Sequence, residues 1–303
     1  MDATPSVSLP HDAGSGIARR PPAPLRIGPH NFVWGSRTFV MGVVNVTPDS
    51  FSGDGLLASG ASDLVARAVA QARQMAAEGA DIVDIGGQST RPGHSEIDEA
   101  TERERIVPVI RAVRMAMPEM PISVDTTRAT VAAAALDAGA DLLNDIWGVA
   151  AESDLLSLAA RRGVPLVLMH NRAQARYANV LGEVLADLER ALERAVDAGV
   201  AWESLIVDPG IGFGKTADQN LAVLRDLASL SLLGRPVLLG TSRKSTIGKV
   251  LDLPAGERLE GTLATTALGV GAGVDIVRVH DVEANVRVAR MSDAIVRSSW
   301  SEG

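Results

Sequence analysis

Short apolar runs recur along the chain, and each run turns polar where it ends. There are eight runs, and their polar ends are Asn45, Asp84, Asp125, Asn144 with Asp145, His170, Asp208, Lys244, and Arg278 with His280. Segments with small apolar residues at helical spacing separate them. Eight alternating strands and helices predict an α/β fold, a single (β/α)8 TIM barrel, with its active site on the rim where the strands end.

Two segments precede this pattern. Residues 1–24 are rich in Pro, Gly, Ser and Ala, and they lack the apolar content needed to offset the entropy of ordering. We therefore predict a flexible, disordered N-terminal tail. Residues 25–34 have the pattern of a short apolar hairpin, which we expect to close the bottom of the barrel. The prediction is thus one barrel domain over residues 25–303.

Composition restricts the class of protein. Hydrophobic residues make up 46% of the chain and aromatic residues only 3%, so an aliphatic core is expected, as in parallel sheets covered on both faces. The net charge of -8 argues against nucleic acid and anionic membranes as partners. Cysteine is absent, which excludes disulfides and thiolate metal sites. Because no run suits a membrane span or a signal peptide, a cytoplasmic enzyme is expected.

Four of the polar strand ends carry side chains that could bind one ligand together. They are Asp125, Asn144, Asp208 and Lys244, at the ends of the third, fourth, sixth and seventh runs. Two carboxylates, an amide and an ammonium suit a flat heterocycle that presents several N–H donors and a carbonyl. Its apolar walls would be Ile146, Met169 and Phe213. The two acids also suit a ligand that gains positive charge during reaction.

The loops after the last two strands carry cations. The residues of interest there are Arg243, Lys244, Ser245, Arg278 and His280. In barrel enzymes these loops commonly hold a phosphate. Arg278 alternates with apolar neighbours, so its side chain is predicted to point into the barrel mouth, where a cation favours an anion ligand. Asn45, Arg278 and His280 therefore fit an anionic phosphate.

Two long polar loops follow the first two strands and also belong to the predicted catalytic rim. The first, residues 45–55, contains Thr47, Pro48, Asp49, Ser50 and Phe51, and its position suits a lid. The second, residues 86–93, contains Thr90, Arg91 and Pro92. The alternative for the first loop is a turn built from ordinary turn-forming residues.

Several of these residues also have a purely structural interpretation. Asp125 and Asp208 can serve as helix N-caps. A single His at a strand end, here His170, is more typical of a hydrogen-bonded structural group than of a ligand, and nothing at zinc-ligand spacing accompanies it. The segment GIGFGKT resembles a P-loop, but only three residues separate Gly210 from Gly214 where that motif needs four. Neither an ATPase nor a dinucleotide enzyme is indicated.

Eight blocks stand in order over residues 38–298: MGVVNVTPDSFSGDG, DIVDIGGQSTRPG, ISVDTTR, NDIWG, LMHN, DPGIGFGKT, GTSRKS and RVHDV. Together they resemble the successive motifs of the dihydropteroate synthase family. The resemblance implies condensation of 6-hydroxymethyl-7,8-dihydropterin diphosphate with 4-aminobenzoate to 7,8-dihydropteroate and diphosphate, a transfer that forms a C–N bond in folate biosynthesis. It also implies Mg²⁺, a homodimer and sulfonamides as competitive ligands.

The resemblance also implies roles for individual residues. The pterin ring would be bound by Asp125, Asn144, Asp208 and Lys244, lined by Ile146, Met169 and Phe213, and stacked by Arg278. Asn45, Arg278 and His280 would hold the diphosphate, and Asn45 would also reach Mg²⁺. Thr90, Arg91, Pro92 and Ser245 would shape the aminobenzoate site with the first loop. Catalysis, by Asp125, Asp208, Lys244 and Asn45, would be dissociative: diphosphate leaves, the acids stabilise a pterin cation, and the aniline nitrogen attacks.

Three positions depart from the family pattern: Gln88 replaces a usual Glu, Asp54 comes one position late, and Thr246 replaces a bulkier residue. Two rival functions share much of this pattern. A pterin-dependent methyltransferase uses a related barrel, but the intact polar loops argue against it. A noncatalytic pterin-binding paralogue should lose rim residues, which this chain keeps. The predicted homodimer would use the late helices, residues 257–271 and 282–297.

Overall fold

The computed structural model describes residues 21–47, 61–88, 97–149 and 154–297. Of the predicted tail, only residues 21–24 are described, and they belong to no helix or strand. The division of the chain into a disordered tail and a barrel domain therefore stays a prediction.

The strands form a hairpin and a barrel. The antiparallel hairpin consists of β1 (Leu25–Ile27) and β2 (His30–Phe32). The barrel strands are β3 (Phe39–Asn45), β4 (Ile82–Gly86), β5 (Ile122–Asp125), β6 (Leu142–Asp145), β7 (Leu166–Met169), β8 (Leu205–Asp208), β9 (Leu238–Leu239) and β10 (Ile276–Val279). They pair in parallel in the order β8-β7-β6-β5-β4-β3-β10-β9. A parallel bridge between Val207 and Val237 joins the two ends, so the sheet closes into the predicted barrel.

Helices alternate with the barrel strands, as the sequence pattern predicts. They are α1 (Ala61–Ala77), α2 (Glu99–Ala116), α3 (Ala129–Ala138), α4 (Asp154–Arg162), α5 (Val180–Asp197), α6 (Ala217–Arg225), α7 (Ser245–Leu251), α8 (Leu259–Gly271) and α9 (Val282–Val296). Among the helices that are described, none combines the length and the apolar content that a membrane span requires.

Successive strand residues alternate between two cores. One set of side chains, which includes Val40, Val83 and Val124, packs outward against helix residues such as Ile106 and Leu188. Since neighbouring side chains on a strand point to opposite faces, the residues between them point into the barrel. Both faces are covered, which explains why the strands are almost continuously apolar.

The lower half of the barrel interior is a separate apolar cluster that includes the hairpin. Its members are Leu25, Ile27, Phe32, Trp34, Phe39, Met41, Ile82, Leu142, Val167, Ile206, Leu238 and Ile276. The ring centroids of Phe32 and Phe39 lie 4.6 Å apart, and those of Trp34 and Phe39 lie 5.6 Å apart in an edge-on arrangement. The hairpin therefore closes the bottom of the barrel, as predicted, and the upper half of the interior is left for polar residues.

The closing role of the hairpin can be tested with two adjacent residues. Trp34 is 2% exposed and Val33 is 48% exposed. Trp34→Ala is expected to lower the free energy of unfolding by about 3–5 kcal/mol, because it leaves a cavity against the barrel floor. Val33→Ala should change it by no more than about 0.5 kcal/mol. Urea titrations followed by circular dichroism measure both, and equal midpoints for the two variants would contradict the packing described.

Candidate active site

The inward-pointing side chains change from apolar to polar within two residues on several strands. Asp84 follows Ile82 by two positions, and Asp208 follows Ile206 in the same way. Asn144 and Arg278 stand in the same relation to the inward residues of β6 and β10, whereas the corresponding residue of β7 is the apolar Met169. Because the side-chain period of a strand is two, all of these groups face the barrel interior one step above the apolar floor. The strand ends predicted from the sequence therefore converge.

Arg278 lies at the centre of this polar layer. Its Nε donates to Asp84 Oδ2 at 2.6 Å, and its Nη2 donates to Asp125 Oδ2 at 2.7 Å. The amide of Asn144 donates to the same Asp84 oxygen at 3.2 Å. The sequence correctly indicates that Arg278 points inward. In this structure, two of its donors are engaged by carboxylates.

Asp84 also belongs to this polar layer. It ends the second apolar run, but no role in the site was predicted for it. Asp84 is fully buried and bonds Arg278 and Asn144. The signal that identifies Asp84 was present in the sequence, because it stands two residues after the inward Ile82 and a buried carboxylate requires a partner.

The charged groups of this layer do not balance when all are ionised. Asp84, Asp125 and Asp208 carry three negative charges, and Arg278 and Lys244 carry two positive ones. Burial raises the pKa of Asp125 to about 7, with Asp84 adding to the effect and Arg278 opposing it. Burial also raises the pKa of Asp208 to about 6 and lowers that of Lys244 to about 8. The site therefore favours a ligand that brings or develops positive charge.

The glycine-rich turn after β8 brings Phe213 beside Lys244. The Lys244 Nζ lies 3.9 Å from the centroid of the Phe213 ring, in a cation–π contact. Asp208 Oδ1 accepts the Gly210 N–H at 2.7 Å, which starts the turn. Gly210 has a φ of +65°, and a Cβ there would lie 1.8 Å from the His170 carbonyl oxygen. Only glycine allows this close approach of the two backbones.

Asp125 and Asp208, which the sequence also allows as helix N-caps, do not cap a helix. Helix α6 is capped by Thr216, whose hydroxyl accepts the Gln219 N–H in a capping box. Helix α3 follows Arg128 without any side-chain cap. Asp208 instead stabilises its own turn, and Asp125 pairs with Arg278.

The loop between β9 and α7 directs Lys244 into the site. Arg243 has a φ of +58°, an uncommon conformation for a residue with a side chain. Its guanidinium binds both oxygens of Asp281, at 3.0 and 2.5 Å, and its backbone N–H donates to Thr262. Arg258 donates to its carbonyl oxygen at 3.0 Å. Arg243, which the sequence placed among the phosphate-binding cations, is thus engaged in holding the loop.

His280 and His170 are both held by hydrogen bonds. Ser242 Oγ lies 3.0 Å from His280 Nδ1. Burial lowers the pKa of His280 to about 3, and Arg278 lowers it further, so this imidazole is neutral at pH 7. His170 is fully buried and bonds Asp187 and Lys215, which confirms the prediction of a hydrogen-bonded structural group.

The remaining predicted site residues occupy the rim or lie outside the described part of the chain. Asn45 ends β3 and is partly exposed, Ile146 directly follows β6, and Met169 ends β7. Thr47 is buried just beyond β3, and Ser245 is the first residue of α7. Outside the described residues lie Pro48, Asp49, Ser50, Phe51, Asp54, Thr90, Arg91 and Pro92. Gln88 lies at the edge of the described region, and Thr246 is buried.

Comparisons with known proteins agree with this geometry. A sequence profile of the family described as pterin binding enzyme matches residues 41–280. The dihydropteroate synthase of Clostridium beijerinckii is 48% identical over 274 residues, covering 90% of this chain and 100% of that protein. The dihydropteroate synthase of Bacillus subtilis is 50% identical over 260 residues, covering 86% of this chain and 89% of the relative.

Solved structures show the same relationship. The Xanthomonas albilineans dihydropteroate synthase with 4-aminobenzoic acid aligns with a TM-score of 0.84 and 38% identity, covering 90% of this chain and 98% of that one. The Clostridium difficile enzyme in the presence of pteroic acid aligns with a TM-score of 0.83 and 45% identity, covering 88% and 99%. The fold and the polar interior thus define a pterin-binding barrel enzyme. Within that class, the chain belongs to the dihydropteroate synthase family, transferases that form a C–N bond.

Burial of Asp208 predicts a specific dependence of stability on pH. Its folded-state pKa of about 6 exceeds the ordinary value of 3.8. Its contribution to stability is therefore fully present below about pH 4 and is lost as the pH rises through 6. Relative to Asp208→Asn, the ligand-free wild type should lose roughly 2 kcal/mol of unfolding free energy between about pH 4 and pH 7. Denaturant titrations across this range measure the difference, and parallel pH curves would exclude a raised pKa.

Proposed function

We propose that this chain condenses 6-hydroxymethyl-7,8-dihydropterin diphosphate with 4-aminobenzoate, releasing diphosphate and forming 7,8-dihydropteroate. The observation that carries this proposal is the polar layer around Arg278: Asp125 bonds Arg278, Asn144 bonds Asp84 beside it, and Asp208 and Lys244 interact with it electrostatically. Family membership supports it, as do solved relatives that contain 4-aminobenzoic acid and 7,8-dihydropteroate.

The pterin ring matches the polar groups in the barrel mouth. A pterin presents amino and ring N–H donors beside a carbonyl. Asp208 and Asp125 supply acceptors for those donors, and the Lys244 ammonium supplies a donor for the carbonyl. Phe213 and Met169 provide flat and flexible apolar surfaces for the ring faces. The predicted pterin-binding residues thus make one chemically complementary set.

The two carboxyl groups of the site, Asp125 and Asp208, favour a dissociative reaction, because in their ionised form they stabilise positive charge on the ligand. The bond between the pterin methylene carbon and the bridging oxygen breaks, and its electron pair leaves with diphosphate. The positive charge that remains is delocalised over the pterin, where Asp125 and Asp208 stabilise it. The aniline nitrogen of 4-aminobenzoate then attacks the methylene carbon with its lone pair. The nitrogen forms the C–N bond and releases a proton to diphosphate or solvent.

Asn45, Arg278 and His280 are the residues proposed to hold the diphosphate. Within the described part of the chain, Arg278 Nη1 has no hydrogen-bond partner and can serve this purpose, because the bonds to Asp84 and Asp125 use Nε and Nη2. His280 bonds Ser242 through Nδ1 and retains Nε2 for an oxygen of the ligand. Mg²⁺ takes oxygen ligands and is commonly bound by one or two protein groups together with phosphate and water, so the partly exposed Asn45 amide fits it. The bound ion would neutralise charge on diphosphate.

The aminobenzoate site is proposed to lie between Ser245 and the two loops that follow β3 and β4. Ser245 is exposed at the start of α7, directly after Lys244, so a ligand there would adjoin the pterin. A Yersinia pestis relative has been solved in complex with a sulfonamide drug. We therefore propose sulfonamides as competitive ligands of this site. The cytoplasmic location stays a prediction.

The dissociative route predicts chemistry before 4-aminobenzoate binds. The test uses dihydropterin diphosphate with ¹⁸O at the oxygen that joins the methylene carbon to phosphorus, together with Mg²⁺. When 4-aminobenzoate is absent, the label should move from this bridging position into non-bridging positions of the diphosphate. Asp208→Asn should lower kcat/KM by about 100-fold or more, since it removes an anion that faces the cation. Omitting Mg²⁺ should slow both scrambling and turnover.

The matched control is Asp226→Asn, a substitution in the loop after α6 and away from the polar layer, which should leave turnover unchanged. Turnover without any isotope scrambling would argue for direct displacement in place of a cation. Tight pterin binding with no product under any condition would instead favour the noncatalytic paralogue.

We also propose a homodimer formed through α8 and α9, which pack against each other. Three large aliphatic side chains on these helices are strongly exposed: Leu268 at 73%, Met291 at 63% and Ile295 at 68%. Met291 and Ile295 are four residues apart and share one face of α9. A group of exposed apolar side chains on adjoining helices is typical of a protein–protein interface.

The dimer can be tested by charge insertion. Leu268→Glu or Ile295→Glu should convert the dimer to a monomer, because a carboxylate would be buried without a partner. Met115→Glu is the matched control, since Met115 is 84% exposed on α2, outside the proposed interface. Sedimentation velocity measures the mass of each variant. A monomeric wild type, or dissociation by the control alone, would overturn the proposal.

A further inference from the structure

The Lys215 ammonium binds two carbonyl groups of the glycine-rich turn that follows β8, and it also binds His170. Its Nζ lies 2.9 Å from His170 Nδ1, 3.0 Å from the Gly210 carbonyl oxygen and 3.1 Å from the Phe213 carbonyl oxygen. Burial lowers the pKa of Lys215 to about 7. A lysine ammonium has three N–H donors, and these three acceptors match them, so the contacts favour the protonated form. Neither the sequence motif nor the predicted pterin set gave Lys215 a role.

His170, one of the three acceptors of Lys215, is itself held by hydrogen bonds. His170 Nε2 lies 3.0 Å from Asp187 Oδ2, so the imidazole donates there and accepts through Nδ1. Arg172 Nε donates to the same Asp187 oxygen at 2.8 Å, and Arg172 Nη1 donates to Glu183 at 2.7 Å. Both acids belong to α5. A continuous series of hydrogen bonds therefore connects this outer helix with the turn.

The turn needs such support because of its composition. Gly210, Gly212 and Gly214 all have positive φ, at 65°, 85° and 55°. Glycine loses more backbone entropy on ordering than any other residue, so this turn is intrinsically mobile. The two carbonyl groups bound by Lys215 flank the apex of the turn. The side chain carried by the second of them, Phe213, is the ring that contacts the Lys244 ammonium.

We propose that Lys215 is a positioning residue for the pterin pocket: its ammonium fixes the backbone of Phe213 and, through the Phe213 ring, the position of Lys244. This inference rests on the proposed function for its kinetic consequences, whereas its structural part can be tested without turnover. Lys215 is not one of the residues proposed to bind the pterin. It acts through Phe213 and Lys244, which are.

The lysine content of the chain makes a direct test possible. The chain contains only three lysines, Lys215, Lys244 and Lys249. Labelling with [ε-¹³C]lysine therefore gives one signal set for each, assigned by single substitutions. Lys249 is exposed on α7 and serves as an internal reference. The pH titration of each signal reports the pKa of that ammonium.

Lys215→Met removes the donors but keeps an unbranched side chain of similar length. In this variant the Lys244 signal should shift, and its pKa should rise by about half a unit or more. Loss of the Lys215 charge removes a repulsion of the Lys244 ammonium, and a displaced Phe213 admits water to a site where burial lowers the pKa. The Lys249 signal should not move. The KM for dihydropterin diphosphate should rise about tenfold or more, while the KM for 4-aminobenzoate changes little.

Two further variants complete the test. Lys249→Met should reproduce the wild-type constants and the wild-type Lys244 signal. If Lys215→Met fails to melt cooperatively, Lys215→Gln replaces it, because the glutamine amide retains two N–H donors. The Lys244 pKa and the KM for dihydropterin diphosphate should then change in the same direction, but by less. Unchanged Lys244 titration and unchanged pterin KM in a folded Lys215 variant would overturn the proposal. A Lys244 shift in a protein that makes no dihydropteroate would support the positioning role and contradict the proposed function.

Discussion

The barrel interior depends on one partly buried cation held between two buried carboxylates. Arg278 bonds Asp84 and Asp125 at the level where the inward side chains change from apolar to polar. Any one of these charges buried alone would destabilise the fold by several kcal/mol, because its desolvation would not be offset. Together they connect β10 with β4 and β5 across the inside of the barrel. The remaining polar groups of the mouth are arranged above and beside this triad.

The residues proposed to bind the ligand are held in place by residues outside the proposed site. Lys244 follows a loop that the ion pair of Arg243 and Asp281 fixes, and Phe213 lies on a turn whose carbonyl groups bind Lys215. Strand ends fix a side chain directly through the sheet, but loops do not, so their functional residues require such support. This division explains why so many charged side chains around the rim bond one another.

Electrostatics also links the protonation of the site with its occupancy. Burial raises the pKa of Asp125 and of Asp208, so each carboxyl group is less readily ionised than in water. A ligand that develops positive charge lowers both pKa values by direct attraction. Ionisation of the acids and formation of a cation therefore stabilise each other. The same burial that weakens the stability of the ligand-free protein at neutral pH thus favours a ligand that develops positive charge.

The sequence by itself determined the alternation of strands and helices, the barrel and the residues at each strand end. These are local properties, because the period of two in a strand places Asp208 on the same side as Ile206 whatever lies opposite. Only the tertiary structure decided which side chains become hydrogen-bond partners. Arg278 bonds residues 194 and 153 positions away, and Arg243 bonds Asp281 where the sequence suggested a phosphate. Such pairs depend on which strands become neighbours when the barrel closes and on how the loops pack, which no local pattern contains.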